Sequence, residues 1–106
     1  MRRPGGHPSG ERWLPLARWV GWPADQLGTL VYIMAKRGGT GESGGCPGAF
    51  NDVIDCTGLM QMWPGHVTHR LHLSWSAAIR WLKVPENNLR AALRLWKQEG
   101  WSPWAL

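Results

Sequence analysis

The chain has 106 residues, 43% of them apolar and 18% charged, and its 12 Lys and Arg against 7 Asp and Glu give a formal charge of +5. That length suits a single domain able to bury roughly 60–70% of its unfolded surface, and the composition excludes the low-hydrophobicity, high-charge profile of a disordered chain. The longest apolar run, Leu30 to Ala35, falls far short of the roughly 20 residues a spanning helix needs, so no membrane span is expected.

In chain order, residues 1–11 combine Pro, Gly and charge without an apolar period and read as a flexible arm, leaving 12–106 as the domain. Arg2 and Arg3 lead into Pro4, Gly5 and Gly6 instead of an apolar stretch, so no signal peptide is expected. Trp13, Leu16, Ala17 and Val20 then fall on one helical face, with Pro15 tolerated in the first turn and Gly21 as the stop. Pro23, Ala24 and Asp25 open a second helix whose stripe is Leu27, Leu30, Val31 and Met34, with Lys36 and Arg37 in its last turn and Gly38 and Gly39 ending it.

Residues 38–58 hold seven glycines, Pro47 and both cysteines, which predicts one long irregular loop with room for a short hairpin around Phe50 to Cys56. Ser74 is a candidate N-cap for a third helix carrying Trp75, Ala78, Ile79 and Leu82. A fourth opens at Pro85 and Glu86 and runs through Leu89, Leu93 and Trp96 to Gly100, after which Trp101 to Trp104 fold back. The expected fold is mainly α, a small helical domain with one irregular loop, or α+β if the hairpin forms.

Several chemistries are disfavoured by these patterns. Gly38 to Gly45 lacks the Lys and Ser/Thr of a phosphate loop, so no nucleotide cofactor is expected. His66, His69 and His72 step by three, which turns the outer two away from one another on a helix, and no metal site is predicted. The cations are dispersed instead of clustered, which argues against a nucleic-acid partner. Nine Trp against one Tyr and one Phe leave two uses open, core packing and stacking on flat ligands.

Glu42 is the leading candidate for chemistry. It follows the second helix within Gly41-Glu42-Ser43-Gly44-Gly45, and a carboxylate near the negative end of a helix has its charged form disfavoured, as a general acid requires. Asp52 and Asp55 are the nearby carboxylates, in a turn-like stretch where Asp commonly serves backbone donors.

Glu42-Ser43-Gly44-Gly45, then Pro47-Gly48-Ala49 and Asn51, then Gly58-Leu59-Met60-Gln61-Met62 and Pro64-Gly65, resemble the lysozyme-like lytic transglycosylase domain of the soluble type. Val20-Gly21-Trp22-Pro23 before the second helix, and Glu86-Asn87-Asn88-Leu89 closing on Gly100-Trp101-Ser102-Pro103-Trp104, resemble its lead-in and closing helix, particularly in actinobacterial and phage versions. The resemblance covers about residues 13–104 and implies a lysozyme-like α+β fold. It implies peptidoglycan glycan strands as the partner and cleavage of the MurNAc-GlcNAc β-1,4 bond without a cofactor. Glu42 matches the single acid/base, Ser43 the residue that helps hold it, and Met60 and Gln61 the groove, with Met62 and Trp63 following as a wall.

The sequence departs from the family where Gly38, Gly39, Thr40 and Gly41 stand between Arg37 and Glu42, since the family's helix runs straight into its glutamate. A displacement near 1 Å costs about a hundredfold in rate. The alternative expectation is therefore a non-catalytic lysozyme-fold component of a phage virion that binds glycan or packs against other virion proteins. Either role implies an extracytoplasmic setting, at the cell wall or in a virion. Cys46 and Cys56 enclose nine residues; a disulfide there would contribute roughly 2–3 kcal/mol and is the expectation, with two reduced buried thiols as the alternative.

Overall fold

The computed structural model describes residues 10–35 and 43–106. The fold is mainly helical: five α-helices, α1 (Leu14–Val20), α2 (Leu27–Ala35), α3 (Gly65–Leu71), α4 (Trp75–Leu82) and α5 (Pro85–Glu99), with short 3-10 turns at Gly10–Trp13, Ala24–Gln26 and Ser102–Trp104. No described helix is long and apolar enough to cross a membrane.

The domain begins earlier than the sequence predicts. Gly10, assigned to the arm, is buried in the first 3-10 turn, where an added Cβ would stand 3.3 Å from the Met34 side chain. A side chain there would require Met34 to give by a few tenths of an ångström. Residues 1–9 lie outside the described residues, as do Lys36 and Arg37 of the expected second helix.

Gly21 ends α1 at φ 114°, a left-handed geometry that suits glycine, and its N–H closes on the Ala17 and Arg18 carbonyls. The next N–H, that of Trp22, also returns to the Ala17 carbonyl at 3.0 Å and turns the indole inward. α5 is the organising element: α1 and α4 pack on it, and its buried side is Asn88, Leu89, Ala91, Ala92, Leu93 and Leu95. Around it gather Ala17, Leu30, Ile33, Met34, Leu59, Met60, Val67, Ala78 and Leu82, all fully buried.

The long loop is irregular, and the hairpin reduces to isolated antiparallel bridges, Phe50 with Thr57 and Thr57 with Met62. Asn51 closes the turn between Phe50 and Thr57, its N–H donating to the Cys56 carbonyl at 2.9 Å. Its carbonyl accepts from the Asp55 N–H at 2.6 Å and its Oδ1 from the Val53 N–H at 3.0 Å, winding the chain into a turn that leaves Asp55 at φ 64°.

What replaces a sheet is a side-chain clamp. Asn88, fully buried on α5, donates to the carbonyls of Thr57 (2.8 Å) and Leu82 (3.0 Å) and accepts from the Met60 N–H (2.8 Å). Gly58, at φ 85°, lies so close that a Cβ there would collide with the Asn88 amide and the Leu82 carbonyl. The clamp satisfies loop groups that a buried irregular segment would otherwise leave unpaired.

Candidate functional site

Glu42 lies outside the described residues, but the chain immediately after it is firmly held. Ser43 N–H and Gly44 N–H both donate to the Met34 carbonyl, at 3.1 and 2.7 Å, so the chain that leaves α2 returns to its last turn. The Ser43 side chain is buried and its Oγ accepts from Gly45 N–H at 3.2 Å, while the Gly45 carbonyl accepts from the Trp13 indole at 2.7 Å.

The segment after the loop supplies a wall and a floor. Met60 is not turned toward solvent as the groove expectation would have it: its side chain is fully buried in the core, its N–H is held by Asn88 and its carbonyl by the Trp104 indole at 2.8 Å. Gln61, at φ 48°, donates its amide to the carbonyls of Ala49 (3.3 Å) and Gly58 (3.0 Å), which fastens the Ser43–Ala49 stretch to the Gly58 turn. Gln61, Met62 and Trp63 line a cavity of about 80 Å³ together with Cys56, His66 and Trp104.

Trp63 is 47% exposed, and its ring lies over Gly65, where any Cβ would collide with it. Its edge contacts are His66 at 5.6 Å and Trp75 at 5.5 Å, both nearly perpendicular. Trp75, 40% exposed, is fixed in turn by its indole N–H, which donates to Asp55 Oδ2 at 2.8 Å. Both rings are thus fixed by neighbours while remaining partly open to solvent. Phe50 and Ile54 of the adjoining loop are also partly exposed.

The other expected residues fall as follows. Asp55 is engaged with Trp75 and Asp52 is exposed, an arrangement that leaves Asp55 orienting an aromatic ring. Cys46 and Cys56, expected to pair, are separate thiols. Cys56 is buried at the cavity while Cys46 stands in a tight turn of its own, N–H to the Ser43 carbonyl and carbonyl to the Ala49 N–H. Burial pushes the Cys56 thiol pKa up, and the Asp55 charge adds to it. His66 is held below its ordinary value by burial, an effect the Glu99 carboxylate opposes. No cluster of three or more His, Cys, Asp or Glu suited to a metal occurs among the described residues.

Trp75 is the site residue that sequence reasoning missed. Its spacing with Ala78 and Leu82 reads as a core stripe, whereas its place at the first turn of α4 leaves it at the surface. The proximity of Asp55, the signal that would have separated the two readings, is visible only in three dimensions. No family model, curated protein or solved structure matches the chain.

Proposed function

We propose that the chain cleaves peptidoglycan as a lysozyme-like lytic transglycosylase or muramidase, acting at the MurNAc-GlcNAc β-1,4 bond with Glu42 as general acid and base. The observation that carries this reading is the convergence of its motif segments on one turn. Ala49 binds Gly58 and Gln61, Asn88 binds Met60, and Trp104 binds Met60 from the far end of the chain. Segments that resemble one family piece by piece are thus also bonded to one another.

In this reading Glu42 donates a proton to the glycosidic oxygen as the bond to C1 breaks, charge develops on an oxocarbenium-like ring, and the carboxylate then takes a proton from the acceptor. The acceptor is water for hydrolysis or the muramic 6-hydroxyl for transglycosylation. The Ser43 and Gly44 bonds to Met34 limit how far the peptide after Glu42 can move, as an acid that must be positioned within an ångström requires. Trp63 and Trp75 offer the apolar face of a pyranose ring a surface on which to stack. An extracytoplasmic place of action, at a cell wall or within a phage particle, follows from the substrate.

A second reading, glycan binding by a non-catalytic virion component, is favoured by one feature: Asp55, Trp63, His66 and Trp75 hold the aromatic wall through contacts with one another. Muropeptide release from purified peptidoglycan separates the two. Wild type releasing soluble fragments and Glu42→Gln releasing none supports cleavage. A folded wild type that sediments with peptidoglycan but releases nothing leaves the binding reading.

A further inference from the structure

α3 and α5 each present a polar pair one helical turn apart, His66 with Arg70 and Arg94 with Gln98, and the two pairs line a second cavity of about 40 Å³. A water needs about 10–15 Å³ by this measure, so the space admits the oxygens of a small anion. Two guanidiniums and a carboxamide offer donors into it from both helices. Neither Arg70 nor Arg94 is ion-paired among the described residues, where the ion pair found on α5 is Arg90 with Glu86 at 2.9 Å. The guanidinium of Arg70 is pushed below its ordinary pKa by partial burial and then by the Arg94 charge. The carboxylate acting on this region is Glu99, through His66.

The cavity also shares His66 and Leu95 with the one beneath Trp63. His66 and Leu95 therefore border both the space between the arginines and the space beside that indole. We infer that Arg70 and Arg94 form an oxyanion subsite for the carboxylate or phosphate borne by an anionic sugar polymer. The sugar part of this inference rests on the glycan reading above; the oxyanion part rests on the cavity alone. Planar guanidiniums pair with both carboxylate and phosphate, and two of them favour a group that can bridge.

The test is NMR titration of the full chain, following the Arg Nε–H and His66 ring signals at constant ionic strength. The probes are inorganic phosphate, a muramyl disaccharide bearing its stem peptide, a glycerol-phosphate oligomer, and neutral chitotetraose. Phosphate is expected to shift the Arg70 and Arg94 signals saturably, and Arg94→Gln to weaken that binding about tenfold. Both side chains are exposed, so the substitution leaves the core intact, and Arg70→Gln provides an independent repeat.

Whichever anionic sugar outbinds chitotetraose, and loses that advantage in Arg94→Gln, identifies the source of the oxyanion. Phosphate shifts that are absent, unsaturable or unchanged in both variants overturn the subsite. Chitotetraose binding that survives such a result leaves the glycan reading standing alone. Phosphate binding without any sugar binding keeps the subsite and removes the glycan reading.

Discussion

Six of the nine tryptophans fall into two groups, and the division shows what decides the use of an indole. In one group Trp22, Trp96, Trp101 and Trp104 form a chain of contacts: Trp22 lies 5.5 Å from both Trp96 and Trp101, and Trp101 5.5 Å from Trp104. Three of their N–H groups are used within the fold, Trp22 to the Leu89 carbonyl at 3.0 Å, Trp104 to Met60 at 2.8 Å and Trp101 to Gln26 at 2.9 Å. In the other group Trp63 and Trp75 meet at a similar distance but keep 47% and 40% of their surface open. The first group locks the tail to the helices, and a buried indole that finds a carbonyl loses nothing by leaving water. The second group is ordered by its neighbours while burying only part of its area, so its remaining apolar surface is available to a ligand.

Truncating one residue from each group is the strongest way to break this comparison. Trp104→Ala removes a buried ring and strips the Met60 carbonyl of its donor, for an expected loss of about 3–5 kcal/mol in urea-denaturation stability. Trp63→Ala is expected to change stability by less than about 1 kcal/mol while weakening chitotetraose or peptidoglycan binding about tenfold, measured by sedimentation or titration. If Trp63→Ala unfolds as readily as Trp104→Ala, the exposed pair is a structural pillar and the division fails. If it binds glycan as wild type does, the wall is not the stacking surface.

The same contrast separates what was legible in the sequence from what was not. Long periodic stretches were readable, since Leu89 and Leu93 of α5 and Ala78 and Leu82 of α4 are buried as their spacing predicts. α3 was not, because Gly65, His66, Thr68 and His69 dilute its pattern and only Val67 is fully buried on it. The second helix buries Ile33 as well as the predicted Leu30 and Met34, a width of contact that a single stripe underestimates.

At the candidate site Trp63, expected as a wall, is exposed at the cavity, whereas Met60, expected to line the groove, is core. Adjacent residues in a turn point in different directions, and only the backbone angles around Gly58 and Gln61 determine which way. Asn88 stands within Glu86-Asn87-Asn88-Leu89, but its role does not show there; it clamps residues about thirty positions earlier, and contacts of that kind are invisible to spacing.

The smallest expected effect concerns pH, and it sharpens the comparison through the histidine that meets the exposed pair. His66 lies at the cavity edge against Trp63, with Arg70 on its own helix and Arg94 and Gln98 facing from α5, and Glu99 acting on it from the same helix. Burial, the larger cause, disfavours its charged form, and Glu99 opposes this only in part. The folded chain therefore takes up the His66 proton less readily than the unfolded chain, whose imidazole titrates near its ordinary 6.5. The stability this confers is fully present above that value and is lost as the pH falls from there through the lower pKa of the folded state. His66→Gln is expected to flatten that part of the stability curve. A slope that persists unchanged in His66→Gln would place the response in other groups and leave the imidazole as solvated as any surface histidine.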